Sequence, residues 1–107
     1  MRIKMDTTSV RFMVTRPGEA KIDHETKTQK IDRGTGALLW QLQLMALDES
    51  GAEVLTVTVD SEPVARVGDF VQVDGLVAIP WSQGDRSGVA FRAVAISALR
   101  GDSTKAA

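Results

Sequence analysis

The chain has 107 residues and a net charge of −1, with 43% hydrophobic and 25% charged residues, the proportions of one folded globular domain. It contains no cysteine, which excludes disulfide scaffolds, thiol catalysis and cysteine zinc sites. It has no long apolar run and no apolar N-terminal core, so neither a membrane span nor a secretory signal is predicted. We therefore expect a cytoplasmic protein with one domain at residues 1–100 and a flexible tail at 101–107.

Charge is distributed unevenly along the chain. Residues 1–36 carry eight Lys and Arg against five Asp and Glu, residues 37–77 carry one against seven, and residues 78–107 carry four against two. A fold that brings the first and last thirds together would have a basic face beside an acidic middle third. Because the net charge is close to zero, this regional balance is weak electrostatic support for a nucleic-acid partner.

The first predicted strand covers residues 10–15, with alternate apolar side chains from Val10 to Val14 on one face. The pair Pro17-Gly18 predicts its end, because Pro fixes φ and Gly accepts a positive φ. The next segment, residues 19–33, is polar and predicts a long loop after the first strand. No internal repeat is apparent in the chain.

A hairpin is predicted next. Alternating side chains in residues 37–48 and 53–59 predict two strands, and Asp48-Glu49-Ser50-Gly51 between them predicts the turn. Trp40 shares its face with apolar neighbours, which favours core packing over ligand stacking. The outer face of the hairpin is polar and uncharged, and it consists of Gln41, Gln43, Thr56 and Thr58.

The fourth predicted strand covers residues 70–79. Its apolar residues Val71, Val73, Val77 and Ile79 are expected on one face, with a bulge or bend at Gly75. Pro80-Trp81 is expected to end this strand.

The fifth predicted strand covers residues 89–99, after a polar loop at 82–88. Residues 60–69, between the hairpin and the fourth strand, leave room for one helical turn at most. Five strands with regular turns and one bend predict an all-β fold, a small five-stranded OB-like barrel with a long polar loop after its first strand.

The chain carries no pattern that predicts a catalytic or metal site. His24 is the single histidine, and a zinc site needs three or four converging ligands. Gly34-Thr35-Gly36 lacks the Lys-Ser/Thr of a phosphate-binding loop and predicts a turn before a strand. No carboxylate has the apolar setting of a general acid. We expect neither enzymatic activity nor a cofactor.

Several residues are of the types that bind nucleic acid. Trp81, next to a proline at a predicted strand end, can either stack on an unpaired base or plug the end of the barrel. Spaced cations in the polar loop either solvate the loop or hold phosphates. The residues expected to contact nucleic acid are Lys21, Lys27, Lys30, Arg33, Gln41, Gln43, Thr56, Thr58, Trp81, Arg86 and Arg92.

The last third of the chain resembles a known family. The strand order, the Gly-Asp-x-Val-x-Val-x-Gly pattern at 68–75 and Trp81 beyond it resemble the OB fold of bacterial single-stranded-DNA-binding proteins. The likeness is close over residues 68–99 and elsewhere extends only to strand order. That family has a helix between its third and fourth strands, for which residues 60–69 leave no room. The resemblance implies binding of single-stranded DNA with little sequence preference.

The first half resembles a second family. Asp32, Thr35, Gly36, Trp40 and Met45 match the Asp-x-x-Thr-Gly-x-x-x-Trp-x-Val-x-Val-Met segment of small proteins of actinobacterial plasmids and integrative elements. Those proteins are described as activators of replication, integration and excision. This second resemblance implies an accessory role in the replication or transfer of a mobile element.

Two functions remain open from the sequence. One is a single-stranded DNA-binding accessory protein, which would gain avidity as a homo-oligomer, a dimer or tetramer. The other is a non-enzymatic interaction module or activator that docks on replication or transfer proteins through a sheet edge. A double-stranded-DNA-binding activator is disfavoured because no recognition helix is predicted.

Overall fold

A computed structural model describes residues 1–99, and within that range the protein has eight β-strands and no helix. The all-β class predicted from the alternating side chains is therefore confirmed. Arg100 and the predicted tail at 101–107 lie outside the described residues. No part of residues 1–99 forms a helix of the length and apolarity needed to cross a membrane. The strands are β1 (Ile3–Lys4), β2 (Arg11–Ala20), β3 (Trp40–Asp48), β4 (Gly51–Val59), β5 (Phe70–Asp74), β6 (Val77–Gln83), β7 (Arg86–Ala93) and β8 (Ala95–Ala98).

All eight strands belong to one sheet, in the hydrogen-bonded order β1-β6-β7-β4-β3-β2-β5-β8. Neighbouring strands are antiparallel except β4 and β7, which are parallel. Only Val94 separates β7 from β8, yet β7 pairs with β4 whereas β8 pairs with β5. The sheet therefore curls, because one nearly continuous segment of chain lies beside two strands that are distant in its order.

The predicted small barrel of five strands is wrong, because the sheet is open and has eight strands. Two predicted strands are each divided at a bend, the fourth at Gly75 and the fifth at Val94, and β1 adds an edge strand beside β6. Gly75 has a φ of +65°, and a Cβ there would lie 2.6 Å from a methyl carbon of Val94. The two bends are therefore in contact, and glycine permits both the turn and the close approach.

The bend at Gly75 also changes which side chains face inward. Leu76 is buried, whereas Val77 pairs with Arg92 and shares its outer face. Val77 and Ile79 were predicted on the same face as the buried Val71, which is wrong, because the bend shifts the alternation of the strand by one residue.

The Pro17-Gly18 pair does not end the first long strand as predicted. β2 continues to Ala20, and its register against β3 shifts between Val14 and Arg16 and again between Arg16 and Glu19. Such irregularities accommodate a proline, which has no N–H to donate to the ladder.

The predicted loop at 82–88 is also wrong. β6 extends through Trp81 to Gln83, and a turn of two residues, Gly84-Asp85, leads into β7. Gly84 has a φ of +61° at the first central position, which is the requirement of a type II′ hairpin turn. The turn predicted at Asp48–Gly51 is confirmed, and Asp48 Oδ1 accepts hydrogen bonds from the N–H and hydroxyl of Ser50.

The core lies under the inward faces of β2 to β5, β7 and β8. Leu44 on β3 and Val57 on β4 are completely buried, and Val57 pairs across the hairpin with the buried Leu42. Trp40 packs against this core, which confirms the packing predicted for it. The buried cluster consists of Phe12, Val14, Leu42, Leu44, Val57, Val59, Val71, Val73, Leu76, Ala93 and Ile96.

The polar loop between β2 and β3 contains two copies of one nine-residue turn, so the expectation of no internal repeat is wrong. Lys-Ile-Asp begins the first copy at Lys21 and the second at Lys30, and each copy has a threonine three residues after its aspartate. An antiparallel bridge joins Ile22 to Gln29 in the first copy, and the equivalent bridge joins Ile31 to Leu38 in the second.

Equivalent backbone contacts close the two turns. The N–H of Asp23 donates to the carbonyl of Thr28 at 2.8 Å, and the N–H of Asp32 donates to that of Ala37 at 2.8 Å. Each copy has one residue with a positive φ at the same position, which is Lys27 at +63° in the first copy and Gly36 at +77° in the second. The repeat is therefore structural as well as sequential.

Three residues spaced by nine join the two turns to the sheet. The N–H of Lys30 donates to the carbonyl of Lys21 at 2.7 Å, and the N–H of Leu39 donates to the carbonyl of Lys30 at 2.8 Å. The N–H of Lys21 in turn donates to the carbonyl of Leu39 at 3.0 Å. These bonds form a closed ring. The polar loop thus has a defined backbone that fixes Lys21 and Lys30 beside each other.

Candidate nucleic-acid interface

The four polar residues predicted on the outer face of the central hairpin lie together. Gln41 pairs with Thr58 and Gln43 pairs with Thr56 in the register of β3 and β4. Cross-strand partners project from the same face of a sheet, and the apolar residues between them face the core. The Gln43 side chain is fixed further, since its Oε1 accepts a hydrogen bond of 2.9 Å from the Thr15 hydroxyl.

The hairpin is the centre of a longer row across the sheet. Glu19 on β2 pairs with Gln41, Thr58 pairs with Arg92 on β7, and Arg92 pairs with Val77 on β6. We call Glu19, Gln41, Thr58 and Arg92 the polar row. It places residues from the first and last thirds of the chain on one face, but with one Glu and one Arg the row is not the basic face expected of such a fold.

Lysines from the repeated turns reach this row. Lys21 is half-buried, and its Nζ donates a hydrogen bond of 2.9 Å to the Thr58 hydroxyl. Burial lowers the pKa of Lys21, and the positive charges of Lys30 and Arg92 nearby lower it further. Lys21 therefore contacts the polar row directly and lies near two further predicted cations, Lys30 and Arg92.

An open cavity of about 380 Å³ lies beside these lysines. Its lining includes Glu19, Lys21, Lys30 and Gln41, so most of its polar groups come from the row and the repeat. His24 also borders it, from an exposed position in the first turn. The open cavity is therefore lined by side chains of both charges, with Lys21 and Lys30 opposite in sign to Glu19.

Arg92 is held by two carboxylates. Its Nη2 donates a hydrogen bond to Asp32 Oδ2 and lies 3.7 Å from Asp60 Oδ2. Asp32 Oδ1 accepts the N–H groups of Gly34 and Thr35. The Gly34 N–H bond, the Arg92 hydrogen bond and the Thr35 N–H bond lower the pKa of Asp32. Asp32 therefore ties the second turn to the sheet through an ion pair.

Lys27 and Arg33 do not reach the row. Both are exposed, and they lie in the two turns, away from the hydrogen-bonded ring. The repeated turns thus separate the four predicted loop cations into two at the ring and two in the turns.

Trp81 and Arg86 belong to a part of β6 and β7 that projects from the rest of the sheet. β1 pairs with β6 only at Val77 and Ala78, and β4 pairs with β7 only from Phe91 onward. Between these limits, residues 79–90 have no further strand beside them within residues 1–99. We call this two-stranded segment the ribbon.

The Trp81 indole lies on the backbone of the ribbon. Trp81 pairs with Gly88, where a Cβ would be 2.8 Å from Cζ2 of the ring. The side chain is 42% exposed. One side of the ring is therefore covered by Gly88 while the residue keeps substantial contact with solvent, an arrangement suited to stacking.

Trp81 shares the outer face with the polar row. Alternate residues of β7 place Gly88 on the same face as Arg92, four residues away, which corresponds to about 14 Å along a strand. A polar surface, a cation cluster and an exposed indole are thus arranged along one face of the sheet.

No family model, curated protein or solved structure matches this chain. The two family resemblances, the cytoplasmic location and the homo-oligomer therefore stay predictions.

Several residues of this surface were not predicted from the sequence. Arg16 pairs with Gln43, and Lys4 on β1 lies opposite Val77, so both add exposed cations to the outer face. The carboxylates that hold Arg92 were not predicted either. The second Lys-Ile-Asp, nine residues after the first, was the available signal that Lys21 and Lys30 are equivalent.

Proposed function

We propose that this chain is a non-enzymatic accessory protein that binds single-stranded DNA on the outer face of β3, β4 and β7. We propose the replication or transfer of a plasmid or integrative element as its setting, on the strength of the two resemblances. The observation that carries the proposal is that the polar row, the lysines at the ring and the exposed Trp81 share one face.

We also propose that the curled, open sheet is related to the OB fold through its strand pairing. Support comes from the central β3–β4 hairpin, the pairing of β2 with both β3 and β5, and the parallel pairing of β4 with β7. The bent segment of β7 and β8 then lies beside both β4 and β5.

Each part of the surface has a separate role in this proposal. Lys21 and Lys30 neutralise phosphates, and the amides and hydroxyls of the central hairpin donate hydrogen bonds to the strand. An unpaired base stacks on Trp81, a contact worth about 1–3 kcal/mol. Backbone charge and stacking depend little on base identity, so weak sequence preference is expected.

Titration with oligothymidylate at low salt tests the proposal through tryptophan fluorescence. Quenching is expected, with a slope of log affinity against log salt of about −2 if roughly three phosphates are neutralised. Lys30→Glu should weaken binding more than Arg66→Glu, which makes the same charge change in the connector before β5. Absence of quenching at oligonucleotide concentrations of about tens of micromolar would reject the proposal.

A second function is favoured by the free edges of the ribbon. Unpaired strand edges recruit peptide strands, and Val89 is exposed there. On this alternative the chain is an interaction module that docks on a replication or transfer protein. The triple variant Lys27→Glu, Lys30→Glu and Arg33→Glu separates the two functions, because a DNA-binding protein loses its oligonucleotide whereas an interaction module keeps its protein partner.

A further inference from the structure

The three cations clustered at the polar row are matched by carboxylates of the same chain. Lys21, Lys30 and Arg92 lie near one another, and Asp32 and Asp60 both contact Arg92. With Glu19 in the same row, the cluster has no excess positive charge. A phosphate that approaches it therefore meets negative groups already in place.

The contact between Asp32 and Arg92 is well covered. The two side chains are only 17% and 20% exposed, so solvent screens this pair less than an ordinary surface ion pair. Arginine binds carboxylate and phosphate oxygens through the same donors. A carboxylate bound to Arg92 Nη2 thus occupies a position that a phosphate oxygen would take.

We propose that Asp32 is an internal competitor of the phosphate backbone, so that nucleic acid binds the outer face by displacing the Asp32 carboxylate from Arg92. This inference rests on the proposed function and adds a residue that limits affinity. On release, Asp32 Oδ1 keeps its hydrogen bonds to the turn, whereas Oδ2 gives up Arg92.

The two oxygens of Asp32 have different partners, because Oδ1 accepts from the turn and Oδ2 accepts from Arg92. One substitution can therefore remove the contact with Arg92 and keep the turn. In Asp32→Asn the amide oxygen still accepts the N–H groups of Gly34 and Thr35, so the turn is kept. The amide nitrogen carries no charge and cannot accept from Arg92. The variant therefore removes the competing carboxylate without removing the cap of the turn.

The repeat supplies a matched control at the equivalent position of the first turn. Asp23 Oδ1 accepts the N–H of Glu25, as Asp32 Oδ1 accepts that of Gly34, but no ion pair joins Asp23 to an arginine within residues 1–99. Asp23→Asn makes the same change in net charge nine residues away. Comparing the two variants separates the specific contact from general electrostatics.

Oligothymidylate affinity is measured for the unmodified protein and both variants over a range of salt. Asp32→Asn should bind about five- to tenfold more tightly than Asp23→Asn, the range expected for release of a partly covered ion pair. Its salt slope should stay close to that of Asp23→Asn, because Arg92 neutralises the same phosphate in both proteins once Asp32 is displaced. Amide spectra that match the unmodified protein establish that both variants fold.

The outcomes distinguish this inference from the proposed function. If the unmodified protein binds and Asp32→Asn is no tighter than Asp23→Asn, internal competition is rejected and the proposed function stands. Weaker binding by Asp32→Asn also rejects it and makes Asp32 a positioning residue for Arg92. If neither the unmodified protein nor Asp32→Asn binds, both proposals fail. Binding by Asp32→Asn alone supports competition by the Asp32 carboxylate but rejects DNA binding as the function of the unmodified protein.

Discussion

The β3–β4 and β6–β7 hairpins have the same construction and different surroundings. Each joins two antiparallel strands through a turn of two residues. β3 and β4 bury alternate residues, including Leu44 and Val57, whereas nearly every residue of β6 and β7 between Pro80 and Ala90 is exposed. One hairpin is part of the core and the other is a projecting surface.

The two tryptophans show what this difference means. Trp40 packs against the core cluster, whereas Trp81 lies on Gly88 in the ribbon. A two-stranded ribbon buries too little apolar surface to add much stability. The exposed indole of Trp81 is therefore available for the stacking contact that we propose.

The largest expected effect is on stability and separates the two hairpins directly. Leu44→Ala should lower the free energy of unfolding by about 2–5 kcal/mol, because Leu44 is completely buried and its truncation leaves a cavity. Val89→Ala in the ribbon should change it by less than about 0.5 kcal/mol, because Val89 is exposed. Urea denaturation of both variants provides the measurement. Equal losses would mean that the ribbon is packed against something.

Alternation in the sequence was sufficient to predict the class of the fold and the central hairpin. Apolar and polar residues alternate from Leu42 to Val59 on both sides of a polar turn. This alternation fixes which face of the hairpin is buried, and the turn fixes the register of its two strands. The core position of Trp40 was predicted for the same reason.

The remaining differences come from positions where alternation alone is ambiguous. The bend at Gly75 shifts by one residue which side chains of the strand face the core. The alternation in β6 also does not indicate whether other strands pack against that strand. The ion pair of Asp32 with Arg92 joins residues 60 positions apart, and no local pattern records such a contact.

The next effect is on binding. Trp81→Ala should weaken oligothymidylate binding by about 5- to 150-fold, the equivalent of a lost stacking contact of about 1–3 kcal/mol. The midpoint of urea unfolding should stay close to that of the unmodified protein, because the side chain lies outside the core cluster. Trp81→Phe should keep part of the affinity, since a smaller aromatic ring remains. Full affinity in Trp81→Ala would remove the indole from the binding surface.

The smallest effect is produced without altering Trp81 itself. Gly88→Ala adds a methyl group where a Cβ would be 2.8 Å from the indole, so the ring must move. We expect a shift in tryptophan emission and a fewfold loss of affinity. Ser87→Ala is the control, because its partner across the ribbon is Ser82 and the pair faces away from Trp81. Identical affinities for the two variants would show that the position of the ring is unimportant.

The most direct measurement follows the two indole N–H signals in an amide spectrum during addition of oligothymidylate. The proposed interface predicts that the Trp81 signal moves together with the side-chain amides of Gln41 and Gln43, while the Trp40 signal stays in place because that residue packs on the core. A fixed Trp81 signal with changes confined to β5 and β8 would contradict binding on this face.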